Sequence, residues 1–155
     1  MMTEIDLKKV IHKDLMIIPS KSKNKAEVIK ELGSLLSSNG YVNDAQEFIN
    51  DVYLREAEGV TGIGQGVAIP HGKSPSVKDT TIAIAVLENE IEWETLDSEP
   101  VKVVIMFAVK DIDATTTHIL LLQQVAQLLA HDDFLKELVQ VTNVDNLYQL
   151  LTKND

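Results

Sequence analysis

The 155-residue chain contains no cysteine. That excludes structural disulfides, thiolate metal sites and a cysteine nucleophile together, so covalent chemistry here must use another side chain. No apolar run reaches the roughly 18 residues a membrane-spanning helix needs. The first ten residues mix acidic and basic side chains and lack the apolar stretch of a signal peptide, so the expected location is the cytoplasm. Positive charge is scarce. Lys and Arg number 14 against 24 acidic residues, for a formal net charge of −10. Such a balance repels a phosphate backbone and argues against nucleic acid. It suits basic partners, or solubility alone. Repeats, low-complexity tracts and Gly/Ser linkers are also missing. What remains is 45% hydrophobic, enough for one core, and one domain over residues 1–155 is expected.

Helical and strand patterns alternate along the chain, which indicates an α/β domain. Leu15 to Ile18, stopped by Pro19, reads as a short strand. Asn24 with Glu27 forms a capping pair for a helix carrying Ile29, Leu32 and Leu36, which Asn39-Gly40 ends. Asp44 with Glu47 opens a second helix, to about Glu56. Thr80 to Leu87 is an apolar strand. Glu90 to Glu94, alternating Ile91 and Trp93 with acidic residues, reads as a strand with one wet face. Val101 to Val109 is apolar almost throughout and belongs in the centre of a sheet. Thr115, Thr116 or Thr117 can cap the next helix, Asp132 another, and Asn143 or Asp145 the last.

Between the second helix and the Thr80 strand lies a loop of different composition. Gly59, Gly62, Gly64 and Gly66 fall within eight residues and account for four of the seven glycines. Val67-Ala68-Ile69-Pro70-His71-Gly72 follows. Glycines at this density free the backbone, whose N–H groups can converge on an anion. Pro70 fixes its own φ and biases Ile69 toward extended geometry. A neutral imidazole at His71 has a lone pair able to attack phosphorus near pH 7. On spacing alone, a histidine behind a proline is also an ordinary polar turn residue. A Walker loop is excluded, because Gly-Lys-Ser/Thr is missing after the spacer. A dinucleotide fingerprint fits poorly, since no helix starts inside the segment.

Arg55-Glu56, Thr61-Gly62-Ile63-Gly64 and Gly66-Val67-Ala68-Ile69-Pro70-His71-Gly72 together resemble the active-site signature of the fructose/mannitol-type IIA domains (EIIA type 2) of the phosphoenolpyruvate-dependent sugar phosphotransferase system. The likeness runs over nearly the whole chain, through Ser22-Lys23, Trp93, Pro100-Val101 and His118. It implies a single domain with a small mixed parallel/antiparallel β-sheet flanked by helices on both sides, the phosphotransferase/anion-transport-protein-like fold. It also implies a reaction. Phosphorylated HPr donates to His71, at Nε2, and the group passes to a cysteine of a IIB domain. From there it goes to a sugar held by a membrane IIC component. With no cysteine in the chain, IIB is expected on another polypeptide. With no membrane span, the contact with IIC is indirect. Neither a metal nor a cofactor is expected, and the four histidines form no ligand pattern. Which sugar is involved is decided elsewhere.

The same resemblance assigns helpers. Arg55 corresponds to an arginine near the active histidine, where a guanidinium can bind phosphate oxygens in a bidentate way. The alternative is a helix-end arginine favourable to the dipole. His118 corresponds to a second histidine close to the first. It can hydrogen-bond the phosphoryl group or orient the imidazole, or serve as an ordinary helix-start histidine. Thr61, beside Gly62, can donate to the phosphoryl group or hold the glycine segment. Glu56 can orient Arg55, or His71 through its second nitrogen. His12 and His131 read as surface residues. Gln65, Val60 and Lys73 vary from the usual family pattern without removing a reactive group. Two other roles stay open: a nitrogen-type regulatory IIA whose phosphorylation controls binding to other proteins, and a IIA-like domain detached from a transcription regulator.

Overall fold

The apolar run after Pro100 becomes strand β6 (Val101–Lys110), and the other elements are ordered around it. The computed structural model describes residues 10–111 and 117–152, the side chains of 117–119, 121 and 122 excepted. In chain order the remaining elements are β1 (Ile11–Ser20), α1 (Lys25–Ser38), α2 (Ala45–Glu56), β2 (Gly62–Gly64), β3 (Val67–Ala68), β4 (His71–Ser74) and β5 (Thr81–Ile91), then, after β6, α3 (Thr117–Leu129), α4 (Asp132–Leu138) and α5 (Val144–Thr152). The sheet runs β1-β5-β6-β3-β2, with β4 also on β6. β5 is antiparallel to β6, whereas β1 is parallel to β5, and β3 and β4 are parallel to β6. The sheet is therefore mixed, as expected from the sequence.

Side chains alternate across a strand, and here each set has its own core. Ile82, Ile84 and Val86 of β5 and Val103, Ile105, Phe107 and Val109 of β6 pack with Val125, Leu129, Phe134, Leu138 and Leu147 of α3, α4 and α5. Ala83, Ala85 and Leu87, with Val104, Met106 and Ala108, face Ile29, Leu32, Phe48 and Val52 of α1 and α2. Both faces of β5 and β6 are thus covered, which explains why these strands lack a polar alternation. Each fully buried Phe, such as Phe48 and Phe107, contributes roughly 1.5–3 kcal/mol by area removed from water.

The helix caps follow the sequence closely. Asn24 Oδ1 accepts from Glu27 N–H at 2.9 Å, and Glu27 Oε1 reaches back to Lys23 N–H at 2.7 Å. Asp44 Oδ1 accepts from Glu47 N–H at 3.1 Å. Gly40, at φ 82°, takes the left-handed turn after α1. Asn143 caps α5, its Oδ1 accepting from Asn146 N–H at 2.8 Å.

Four expectations are corrected. β1 starts at Ile11, and Pro19 does not stop it. β1 pairs only with β5 in the sheet, and an edge strand tolerates a residue with no N–H to donate. Glu90–Glu94 is not a separate strand: β5 runs on to Ile91, and residues 92–94 leave the sheet. The alternation there is real, with Ile91 and Trp93 buried, but Trp93 joins the core under α1 and α2 from outside the sheet. Asp132 does not cap α4. His131 holds the cap position without a side-chain bond, and Asp132 sits in the first turn, where its charge suits the dipole. Thr117 is the first residue of α3, while Thr115 and Thr116 lie outside the described residues.

The glycine segment is the fourth correction, since it is not a plain loop. β2 and β3 form a hairpin in which Gly64 pairs with Val67, leaving Gln65 and Gly66 as a two-residue turn. Both have positive φ, 55° and 84°, as a type I′ turn requires. Asp97 pins this turn, its Oδ2 accepting from Gln65 N–H at 2.9 Å and its Oδ1 from Glu99 N–H at 3.1 Å. These two bonds hold the Asp97 carboxyl below its ordinary range. Glutamine carries a steric cost at positive φ that glycine does not. Gln65→Gly should therefore raise stability by about 0.5–1 kcal/mol, read as a higher urea midpoint with an unchanged m-value. A lower midpoint would show that the Gln65 side chain contributes more than the strain it causes.

Candidate functional site

His71 opens β4, an edge segment that pairs with β6 alone, His71 lying opposite Phe107. Parallel partners in register point to the same face. The imidazole accordingly sits on the Phe107 side, ring centroids 4.8 Å apart and planes at 64°, the face that α3, α4 and α5 cover. Pro70 fixes the approach, since its carbonyl accepts from Phe107 N–H at 2.9 Å. His71 is only 5% exposed.

Gly72 points the opposite way, into α2. A Cβ there would meet Phe48 Cζ and Val52 Cγ2, each at 2.8 Å. The missing side chain lets α2 lie directly on β4, and it thereby sets the position of the last turn of that helix. Arg55 and Glu56 occupy that turn. Arg55 is half-buried, and its Nη1 donates to Gly59 O at 3.3 Å, a long bond that a better acceptor can replace. Arg55 is also the chain's only arginine.

Glu56 does not turn to Arg55 or to His71. Its Oε2 accepts the Thr61 hydroxyl at 2.6 Å, and its Oε1 meets Lys25 Nζ at 2.6 Å. The Thr61 hydroxyl has one proton, which goes to Glu56, while the oxygen accepts from Trp93 Nε1–H at 3.2 Å. In this arrangement Thr61 holds the glycine segment and has no proton left for a phosphoryl group. Its backbone carbonyl accepts from Ile69 N–H at 2.9 Å, two residues before His71. Gly62 follows at an isolated parallel bridge to Thr95, where Gly62 N–H donates to Glu94 O at 3.2 Å and Leu96 N–H to Gly62 O at 2.9 Å.

Sequence reasoning missed Lys25 and the use made of Trp93. Lys25 Nζ also meets Glu94 Oε1 at 2.8 Å and lies 4.9 Å from the Trp93 ring centroid. Burial lowers the Lys25 pKa, but the hydrogen bonds to Glu56 and Glu94 outweigh it and leave the value above the usual lysine range. Glu94 is shifted down, chiefly by its hydrogen bond to Lys25. The one usable signal was the single Trp; Lys25 looked like any polar helix-start residue.

His118 is the second residue of α3, and its side chain lies outside the described residues. His12 stacks on Tyr41, centroids 5.4 Å apart, and His131 is exposed, so neither belongs to the His71 cluster. Among the described residues no group of three His, Asp or Glu is placed to hold a metal ion, and no helix is long and apolar enough to cross a membrane.

A buried histidine at the head of an edge strand, reached through a glycine hairpin and backed by a helix ending in Arg-Glu, is the arrangement to compare with known proteins. The family model described as "Phosphoenolpyruvate-dependent sugar phosphotransferase system, EIIA 2" matches residues 9–154. The chain belongs to this family. It is 32% identical over 148 residues, 95% of its own length, to the 2-O-alpha-mannosyl-D-glycerate-specific EIIABC component of Escherichia coli K12, and covers 22% of that protein. The chain thus spans about a fifth of the length of several curated relatives. It is 30% identical to the fructose-like EIIA component of the same organism over 81% of this chain and 84% of that one. Among solved structures it is similar to the nitrogen regulatory protein IIA-Ntr of Neisseria meningitidis, with a TM-score of 0.84 and 25% identity over 93% of this chain and 97% of that one.

Proposed function

We propose that this IIA domain carries phosphoryl groups in the cytoplasm. It accepts one from phosphorylated HPr on His71 and gives it to a cysteine of a IIB protein, for delivery to a sugar held by a membrane IIC component. The observation that carries the reading is the placement of His71. The imidazole is clasped against Phe107 at the head of β4, and β4 in turn is fixed against the helix that bears Arg55.

In the first step a ring nitrogen lone pair of His71 forms an N–P bond as the N–P bond of the donor phosphohistidine breaks, and the donor imidazole departs with the bonding pair. In the second step a thiolate of IIB forms S–P while the His71 N–P bond breaks. Neither step needs a redox partner. Catalysis of such transfers is positioning plus charge stabilisation. Arg55 supplies the charge by exchanging its long bond to Gly59 O for phosphoryl oxygens. With no cysteine among these residues, the acceptor thiol lies outside them. Partners can dock around the glycine segment, where Leu54, Val60 and Leu96 are 65%, 49% and 75% exposed amid acidic side chains, as small apolar patches with a charged rim do.

A second reading has an observation of its own. The similarity to a nitrogen regulatory protein supports a role in which phosphorylated His71 alters binding to other proteins and no sugar is moved. One experiment separates the two. The protein is incubated with labelled phosphoenolpyruvate, enzyme I and HPr, and the label is located on the peptide containing His71. A panel of IIB proteins is then added. Label on His71 that moves to a IIB cysteine supports the carrier. Label on His71 that no IIB accepts supports the regulator. A protein that takes up no label refutes both.

A further inference from the structure

Glu56 follows Arg55 on α2, and its side chain is only 7% exposed. A buried carboxylate without a cation is costly, so it either takes up a proton or finds another positive charge. The positive charge it has is Lys25, at 2.6 Å. Lys25 is itself set in place from three sides, by Glu56, by Glu94 and by the face of Trp93. Trp93 in turn donates to Thr61, which donates to Glu56. The circuit closes on itself and ties the start of α1, the end of α2 and the head of the glycine segment together. The nearest cation in sequence to Glu56, and the chain's only guanidinium, is Arg55, held among the described residues by the 3.3 Å bond to Gly59 O.

We propose that Lys25 is a positioning residue that claims the Glu56 carboxylate and so leaves the Arg55 guanidinium available to the phosphoryl group on His71. This rests on the reading of His71 as the phosphoryl acceptor. Without Lys25, the Glu56 carboxylate would stand uncompensated one residue from Arg55 on α2. Adjacent helix side chains diverge, so the competition is one of charge, the bare carboxylate drawing on the guanidinium and opposing an incoming phosphoryl group.

Three variants test this by steady-state transfer from phosphorylated HPr. Lys25→Met should lower kcat about tenfold with KM within twofold. Lys25→Arg, which keeps the cation, should stay within threefold of the parent. The double variant Lys25→Met/Glu56→Gln should recover most of the lost kcat, since a neutral amide no longer competes for Arg55 and its carbonyl can still accept from Thr61. That recovery is not expected of residues that merely support the fold. Thermal unfolding of each variant is measured alongside. Should Lys25→Met not fold, the folded double variant decides: kcat near the parent supports the proposal, and a tenfold loss overturns it. The proposal also falls if Lys25→Met keeps the parent kcat, or if neither Lys25→Arg nor the double variant is faster than Lys25→Met. Parent protein without label on its His71 peptide overturns the reading beneath it, and this inference with it.

Discussion

His71→Gln will take up no acid-labile phosphoryl group from HPr, and it will still fold. The two halves of that expectation come from different features. Phosphorylation needs a nitrogen lone pair that is free near neutral pH, and an amide nitrogen has none to give. The loss should therefore be complete to the limit of detection. Stability should change little, because glutamine fills much of the imidazole's volume and retains hydrogen-bonding groups. Among the described contacts, the edge contact with Phe107, worth about 0.5–1.5 kcal/mol, is lost. Alanine is the poorer choice, since it leaves a cavity beside Phe107 and mixes a folding defect into the result. His12→Gln and His131→Gln serve as controls and should label like the parent, as one stacks on Tyr41 and the other is exposed. Labelling of His71→Gln at any other histidine, His118 included, would sink the assignment.

How much of this was legible in the sequence depends on the range over which each feature is encoded. Asn24 with Glu27 and Asp44 with Glu47 are separated by three residues, so the side chains that make the caps also spell them. The Val101 run advertises a strand buried on both faces. His71 and Arg55 stand out as candidates because the signature that singles them out is a contiguous segment and a short offset. The hairpin β2–β3 is not: its strands have three and two residues, too few for any periodicity to register. The alternation of Ile91 and Trp93 was read correctly as burial and wrongly as a strand, because period two reports which way side chains point and not what they meet. The Lys25–Glu94 contact joins residues 69 apart. Its two members each look like ordinary solvated charges, and only the fold brings them together over Trp93. The residues proposed for the chemistry are thus spelled out in contiguous sequence, while the contacts around them are set by tertiary packing.

Gly62→Ala is expected to cost about 3 kcal/mol of stability. The neighbours of the missing side chain explain why. At Gly72 a new Cβ would press on the buried Phe48 ring and on Val52, so relief there requires α2 to ride outward from β4. At Gly33 it would press on the outer part of the Ile49 side chain, Cγ1 and Cδ1, and touch the Phe48 ring. At Gly62 it would meet Glu94 O at 2.6 Å and Thr95 Cα at 2.9 Å, which are backbone atoms. They cannot retreat without stretching the two bonds that join Gly62 to Glu94 and Leu96. Relief has to come from the other side, by moving the glycine segment outward. That movement carries Thr61 away from Glu56 and Trp93, and the 2.6 Å bond to Glu56 goes with it. Urea unfolding should show the midpoint falling with an unchanged m-value, and transfer to His71 should slow even at temperatures where the variant is fully folded. A midpoint within error of the parent would mean that the bridge to Thr95 relaxes freely. In that case Gly62 would not be what fixes the segment leading to His71.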